Sequence, residues 1–291
     1  MTPEAANPAP LPARSATETG AASKGRIVTI AASIMCRDGM ILCADTEETI
    51  TDDYKGDASK ITVFFHHAKL RGEVEFASRI QGGSPNGPQQ TGSNALIGVA
   101  GAGHSDWIAA FIQGMSDSVI SEMDGKKLEW DRTTRLLTTY TEQFFQRYIR
   151  GYADDPSHRP QIQIVVVLQT RKRTERDVFR INDNVVIYDH WDECVAVGKG
   201  APAFLHLSKR LLRGYYSMRQ ASCLAVYIMK TVKSEVPGCG GNSHIVLLGA
   251  KGTIETLTTR QILELEVRQA EIEIKWYDGL AAKLIRAGAK P

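Results

Sequence analysis

The sequence predicts an α+β protein, a four-layer α-β-β-α sandwich built on two mainly antiparallel sheets. Three observations carry that expectation. Apolar, β-branched runs alternate with helical-period segments in the order strands, paired helices, strands, paired helices, strands. Residues 162–168 form an almost unbroken apolar run, the pattern of a strand covered on both faces. No internal repeat and no linker-like composition interrupts the order, so one domain carries all of it.

Residues 29–36 and 39–45 read as a hairpin hinged at Asp38-Gly39. Residues 61–67 and 95–100 read as strands, and the breaker-rich stretch 82–88 between them as a surface loop. His66 and His67 are adjacent, so within a strand they face opposite sides and cannot share a metal. Ser105 or Asp106 can cap a helix carrying Trp107, Ile108, Phe111, Ile112 and Met115 on one face. A second helix is expected from about 131 to 151. A strand at 178–189 with a turn at Asn182-Asp183-Asn184 follows the apolar run. Helices at 201–213 and 218–234, strands at 244–249 and 253–257, and a long amphipathic helix at 260–287 complete the order. In that last helix Ile262, Leu265, Ile272 and Ile274 are expected to pack either on a neighbouring subunit or on the chain's own domain.

Bulk composition excludes several classes. There are 35 basic and 33 acidic residues, so no concentrated cationic face for nucleic acid is expected. The run Arg171-Lys172-Arg173-Thr174-Glu175-Arg176 follows a strand and reads as a solvated hairpin tip. No apolar run approaches the roughly 18 residues of a membrane span. Five cysteines without C-x-x-C spacing point to reduced thiols and a cytoplasmic location. Cys36 and Cys43 sit in apolar strand patterns and read as core residues, not nucleophiles. No metal site and no cofactor site is expected. Residues 1–27, rich in Ala, Pro, Ser and Thr, read as a flexible leader or propeptide, 28–258 as the folded domain, and 259–291 as a C-terminal helical extension.

Six motifs occur in a telling order. They are Val28-Thr29-Ile30-Ala31-Ala32, the hairpin Asp38-Gly39-x-Ile41-Leu42-Cys43-Ala44-Asp45, Lys60-Ile61, Gly98-Val99-Ala100-Gly101 followed by Asp106, Val197-Gly198-Lys199-Gly200-Ala201-Pro202, and Gly238-Cys239-Gly240-Gly241. Together they resemble the proteasome β-type family of N-terminal-nucleophile hydrolases, in a divergent, bacterial-like form. The resemblance implies a threonine nucleophile at a processed N-terminus, with its own α-amine as base. It places Thr29, Asp45, Lys60 and Gly101 in the site: Lys60 to tune neighbouring pKa values, Asp45 to hold it, and the Gly101 N–H to stabilise an oxyanion. It also implies a homo-oligomer or assembly with other proteasome-like subunits, stacked as rings with a contact near 103–122, and a peptide or protein substrate.

Two registers compete. Asp45 lies 16 positions after Thr29, as the pattern asks, whereas Lys60 lies 32 after Val28. One extra residue in the turn near Arg37 would reconcile the Val28 frame, in which a valine would occupy the nucleophile's place. Lys199 and Cys239 replace serines of the pattern, Val236 replaces an aspartate with Glu235 beside it, and Gly25-Arg26 precede Ile27 where a glycine directly before the threonine is usual. The expected function is therefore a structural or regulatory subunit with a degenerate threonine-peptidase site; the alternative is an active threonine peptidase or amidohydrolase using Thr29 after propeptide removal.

Overall fold

A computed structural model describes residues 29–51, 54–57, 60–65, 78–81, 89–90, 95–123, 130–152, 159–170, 176–189, 193–212 and 216–286. The leader, His66-His67, the 82–88 loop and the 171–175 tip lie outside the described residues.

The first two strands, β1 (Ile30–Cys36) and β2 (Gly39–Asp45), form the predicted hairpin. Their register runs unbroken from Cys36 opposite Gly39 to Ala31 opposite Ala44, with Arg37-Asp38 as a two-residue turn. The pairing on either side of this turn carries no bulge. A short hairpin follows, β3 (Glu47–Thr51) and β4 (Tyr54–Asp57), then β5 (Ile61–Phe65), β6 (Ser78–Gln81), β7 (Gln89–Gln90) and β8 (Ala95–Gly103). Helix α1 (Ser105–Met123) and helix α2 (Trp130–Phe144) come next; α2 runs into a π-helical turn, Phe145–Ile149. Strands β9 (Ile162–Thr170), β10 (Arg176–Asn182), β11 (Val185–Tyr188) and β12 (Cys194–Gly198) lead to α3 (Ala201–Leu211) and α4 (Met218–Glu235). The chain then forms β13 (Ser243–Gly249), β14 (Thr253–Thr256) and α5 (Thr259–Arg286).

Among the described residues two six-stranded sheets result, in the orders β12-β1-β2-β13-β14-β7 and β11-β10-β9-β8-β5-β6, with antiparallel pairing throughout. Period-two alternation sends side chains to two faces of each strand. From the first sheet Ala31, Leu42, Val197 and Leu248 share one buried cluster with Val63, Ala100, Val165 and Val178 of the second. The other face of β1 and β2, with Ile30, Ile34, Ile41 and Cys43, packs on Phe204 of α3 and Ile228, Met229 and Val232 of α4. The other face of the second sheet, with Val99, Ile164, Val166 and Phe179, packs on Ile108, Phe111 and Met115 of α1 and Leu137 and Phe144 of α2.

One expectation is revised here, and one alternative is narrowed. Arg176 is not part of a solvated tip: its guanidinium crosses to the first hairpin and donates to the carbonyls of Cys36 and Gly39, the latter at 3.1 Å. The same turn is held from the helix side, where Asp38 accepts from the Met218 N–H at 2.7 Å and the Arg37 N–H donates to the Tyr216 carbonyl at 2.8 Å. Ile262 and Leu265 of α5 pack into the chain's own core against α4 and so are not free to meet a neighbour, whereas Ile272 and Ile274 are exposed.

Phe111 is fully buried, with ring centroids 5.1 Å from Tyr140 and 5.0 Å from Phe144. Phe111→Ala is expected to lower unfolding free energy by about 3–5 kcal/mol, read from urea denaturation.

Candidate active site

The site forms where strand ends of both sheets meet. Asp45 closes β2 in the first sheet, and Lys60 directly precedes β5 in the second. Their side chains join the two sheets, Lys60 Nζ standing 3.0 Å from Asp45 Oδ1, with both side chains at most 1% exposed. Asp45 Oδ1 also accepts from the Ile30 N–H at 3.3 Å, and Oδ2 accepts from the Gly240 N–H at 3.2 Å. One carboxylate therefore gathers an ammonium, the amide that directly follows Thr29, and the loop ahead of β13. Burial pushes the Asp45 carboxyl above its ordinary range, while the Lys60 ammonium and the two N–H donors oppose that shift.

Thr29 is 4% exposed, and its Oγ1 is buried with no hydrogen-bond partner among the described residues. A buried hydroxyl without a partner is uncommon and calls for an explanation. Its backbone is closely held: the Gly200 N–H donates to the Thr29 carbonyl at 3.4 Å. Gly198 has φ +91, and a Cβ placed on it would come within 2.2 Å of that same carbonyl oxygen. Only glycine fits both the left-handed backbone and the close approach. From the opposite sheet, Gln163 Oε1 accepts from the Gly198 N–H at 2.7 Å, and Gln163 Nε2 donates to Asn182 Oδ1 at 3.1 Å.

The structure thus brings Asp45, Lys60 and the backbone beside Thr29 together. Gly101 lies close in the chain pairing, but its N–H donates to the Lys60 carbonyl at 3.0 Å. The oxyanion role expected of it would require that bond to open. The replaced positions are accounted for locally. Lys199 is exposed and its ammonium donates to the Pro237 carbonyl at 2.8 Å; Cys239 is 4% exposed and belongs to the helix-side core. Glu235 is exposed at the end of α4, and Val236 packs on that core. Gly198 and Gly240 stand inside motifs visible in the sequence, although their contacts with Thr29 and Asp45 are not. Nothing in the sequence singles out Gln163. Among the described residues no group of three or more His, Cys, Asp or Glu side chains is placed to hold a metal.

Thiol chemistry at Cys36 or Cys43 has no support here. Burial, with a smaller contribution from Asp38, pushes the Cys36 thiol up to about 12, and burial pushes Cys43 higher still. Neither supplies a thiolate at neutral pH.

No protein-family model and no curated sequence matches the chain. Solved structures do. Anbu from Pseudomonas aeruginosa, described as a helical assembly, superposes with a TM-score of 0.62 at 16% identity, covering 90% of this chain and 98% of that one. Anbu from Yersinia bercovieri, described as an ancestral beta-subunit, gives 0.60 at 12% identity over 86% and 97%. The Gly-1 mutant of Anbu from Hyphomicrobium sp. strain MC1 gives 0.61 at 12% identity over the same shares. The resemblance drawn from sequence motifs, to the proteasome β-type family, is corrected by these neighbours: the solved structures that this chain's fold matches are Anbu proteins. At such identities the likeness establishes the fold.

Removing one partner of a buried ion pair leaves the other charge uncompensated. Lys60→Met or Asp45→Ala alone is expected to cost about 3–5 kcal/mol in urea unfolding. Lys60→Met combined with Asp45→Leu is expected to cost clearly less than the sum of the single changes. In the native protein Cys36 and Cys43 are expected to resist iodoacetamide at pH 8 and to react once urea unfolds it, as peptide mass mapping would show.

Proposed function

We propose that this chain is an Anbu-like, self-assembling subunit that carries a threonine-type amide-hydrolysing centre at Thr29. The observation that carries the reading is the bonding of Asp45, which ties the Lys60 ammonium to the amide next to a buried, unpartnered Thr29 hydroxyl. The continuous β1–β2 register favours Thr29 over Val28 as the reacting position. A buried charged pair is costly in its own right, so its presence beside a hydroxyl supports a chemical role over a purely structural one.

The nitrogen of Thr29 is an amide while Val28 precedes it, so the chemistry starts with cleavage of the Val28–Thr29 bond. The freed α-amine, whose ordinary pKa is about 8, then accepts the Oγ1 proton. Oγ1 attacks the substrate carbonyl, and the C–N bond breaks as the amine returns the proton to the leaving nitrogen. Water releases the resulting ester by the same proton route. Lys60 holds positive charge near the α-amine, which favours the neutral, basic form of that amine, and Asp45 holds Lys60 in place.

The three buried clusters support the four-layer helix–sheet–sheet–helix order, with 28–258 as the working domain and α5 as its extension. Among the described residues no helix is long and apolar enough to cross a membrane. Homo-oligomeric assembly, in a reduced cytoplasmic setting and on peptide or protein substrates, completes the proposal. A second reading, a structural subunit with an inert site, is favoured by one observation, the engagement of the Gly101 N–H by Lys60.

The test uses a chain expressed so that Thr29 is its first residue. Peptide or amide hydrolysis is expected, falling by at least about 10³-fold in Thr29→Ala and Lys60→Ala and largely retained in Thr29→Ser. Activity unchanged in Thr29→Ala would overturn the Thr29 mechanism, and a correctly folded, inactive parent would favour the inert reading.

A further inference from the structure

Helix α5 has two apolar faces, and the fold uses one. With 28 residues it is about 42 Å long. Ile262 is 5% exposed in the core, Leu265 packs beside it, and Gln269 Nε2 donates to the Cys223 carbonyl of α4 at 2.6 Å. Those residues define the face turned to the body. Leu263, Val267, Ala270 and Ile274 follow another line, at spacings of four, three and four, and Leu263, Val267 and Ile274 are 54%, 58% and 61% exposed. In sequence the same alternation continues through Tyr277, Ala281 and Leu284. A sustained four-three alternation is the seam that a second helix packs against.

The flanks say what kind of helix. In heptad terms the positions bordering this seam as far as Asp278 are Glu264, Glu271 and Asp278 on one side and Glu266 and Glu273 on the other, with Leu280 and Ile285 following on the same two sides. The five nearest the exposed stripe are acidic; Arg260 answers Glu264 at 2.9 Å. A second copy of α5 would set acidic flank against acidic flank in either parallel or antiparallel pairing, which disfavours it. A helix with an apolar seam and Lys or Arg on its borders meets complementary charge instead.

We propose that the Leu263–Val267–Ile274 stripe of α5 is a docking surface for a partner protein's basic-flanked amphipathic helix, and not for another copy of this chain. Coiled-coil pairing buries the stripe, and the glutamates select the partner and set its register. This inference does not depend on hydrolytic activity at Thr29.

The probe is a fluorescein-labelled peptide of α5's length with Leu on a four-three seam and Lys on both borders. Its binding to the full chain is followed by anisotropy. Controls are a peptide with Glu on the borders and a scrambled Lys peptide of equal composition. The Lys-bordered peptide is expected to bind at least about tenfold more tightly than either control and to weaken with added salt. Val267→Glu with Ile274→Glu, both at exposed positions, is expected to abolish binding while leaving the circular dichroism spectrum and the particle mass unchanged. Glu264→Lys with Glu271→Lys, which leaves Glu266 and Glu273 acidic on the other border, is expected to remove the preference for the Lys-bordered peptide over the Glu-bordered one. Equal binding of the scrambled peptide, no binding of the Lys-bordered peptide, or an undiminished preference for it in the Glu264→Lys/Glu271→Lys variant would overturn the proposal. So would a lower particle mass for Val267→Glu/Ile274→Glu in light scattering, because a second copy would then be what covers the stripe.

Discussion

The Asp45 carboxylate is the point on which the rest of the site depends. It stands at the end of a strand, fully buried, and its two oxygens draw together groups from three places in the chain. Lys60 comes from the opposite sheet, the Ile30 N–H from the neighbouring strand, and the Gly240 N–H from the loop that leads into β13. A buried carboxylate is tolerable only with such donors, since desolvation alone disfavours its charge. The demand for partners therefore fixes where β5 begins, where β1 begins and how the 236–242 loop runs.

That loop shows the same constraint at work nearby. Thr46 and Asn242 exchange two bonds, with the Thr46 N–H donating to the Asn242 carbonyl at 2.9 Å and the Asn242 N–H donating to Thr46 Oγ1 at 2.7 Å. Lys199 and Lys233 each bring an ammonium to a loop carbonyl, at Pro237 and Gly241. A loop held at this many points keeps Gly240 in place without a serine at residue 239. The departures at Lys199 and Cys239 are thus compatible with an intact Asp45–Lys60 pair, although they remove hydroxyls from its surroundings.

Much of the fold was readable because it rests on local pattern. The period-two runs of β1, β2 and β9 and the helical periods of α1 and α4 fall close to their expected places. Of the strands that were not foreseen, Glu47–Thr51, Tyr54–Asp57, Ser78–Gln81 and Gln89–Gln90 are short and carry little apolar alternation, and Cys194–Gly198 is a five-residue apolar run directly ahead of a helix-opening motif. Arg176 departs from its local pattern for another reason. Its charge looks solvated within its own basic run, and only tertiary structure brings it to the carbonyls of the first hairpin. The site divides in the same way. Asp45 and Lys60 are implied by the motif resemblance, and the competing register could be weighed only through the strand pairing. The commitment of the Gly101 N–H to Lys60 and the reach of Gln163 to Gly198 are contacts between distant segments, invisible to any local reading.

The central claim is that this pair of charges is built around the hydroxyl of Thr29. The most direct measurement is the intact mass and peptide map of the chain beginning at Thr29 after exposure to a β-lactone acylating agent. A single adduct on Thr29, absent when Lys60 is replaced by methionine in a protein that remains folded, is the predicted result. An unmodified Thr29 in the folded parent, or acylation at another residue alone, would contradict the account.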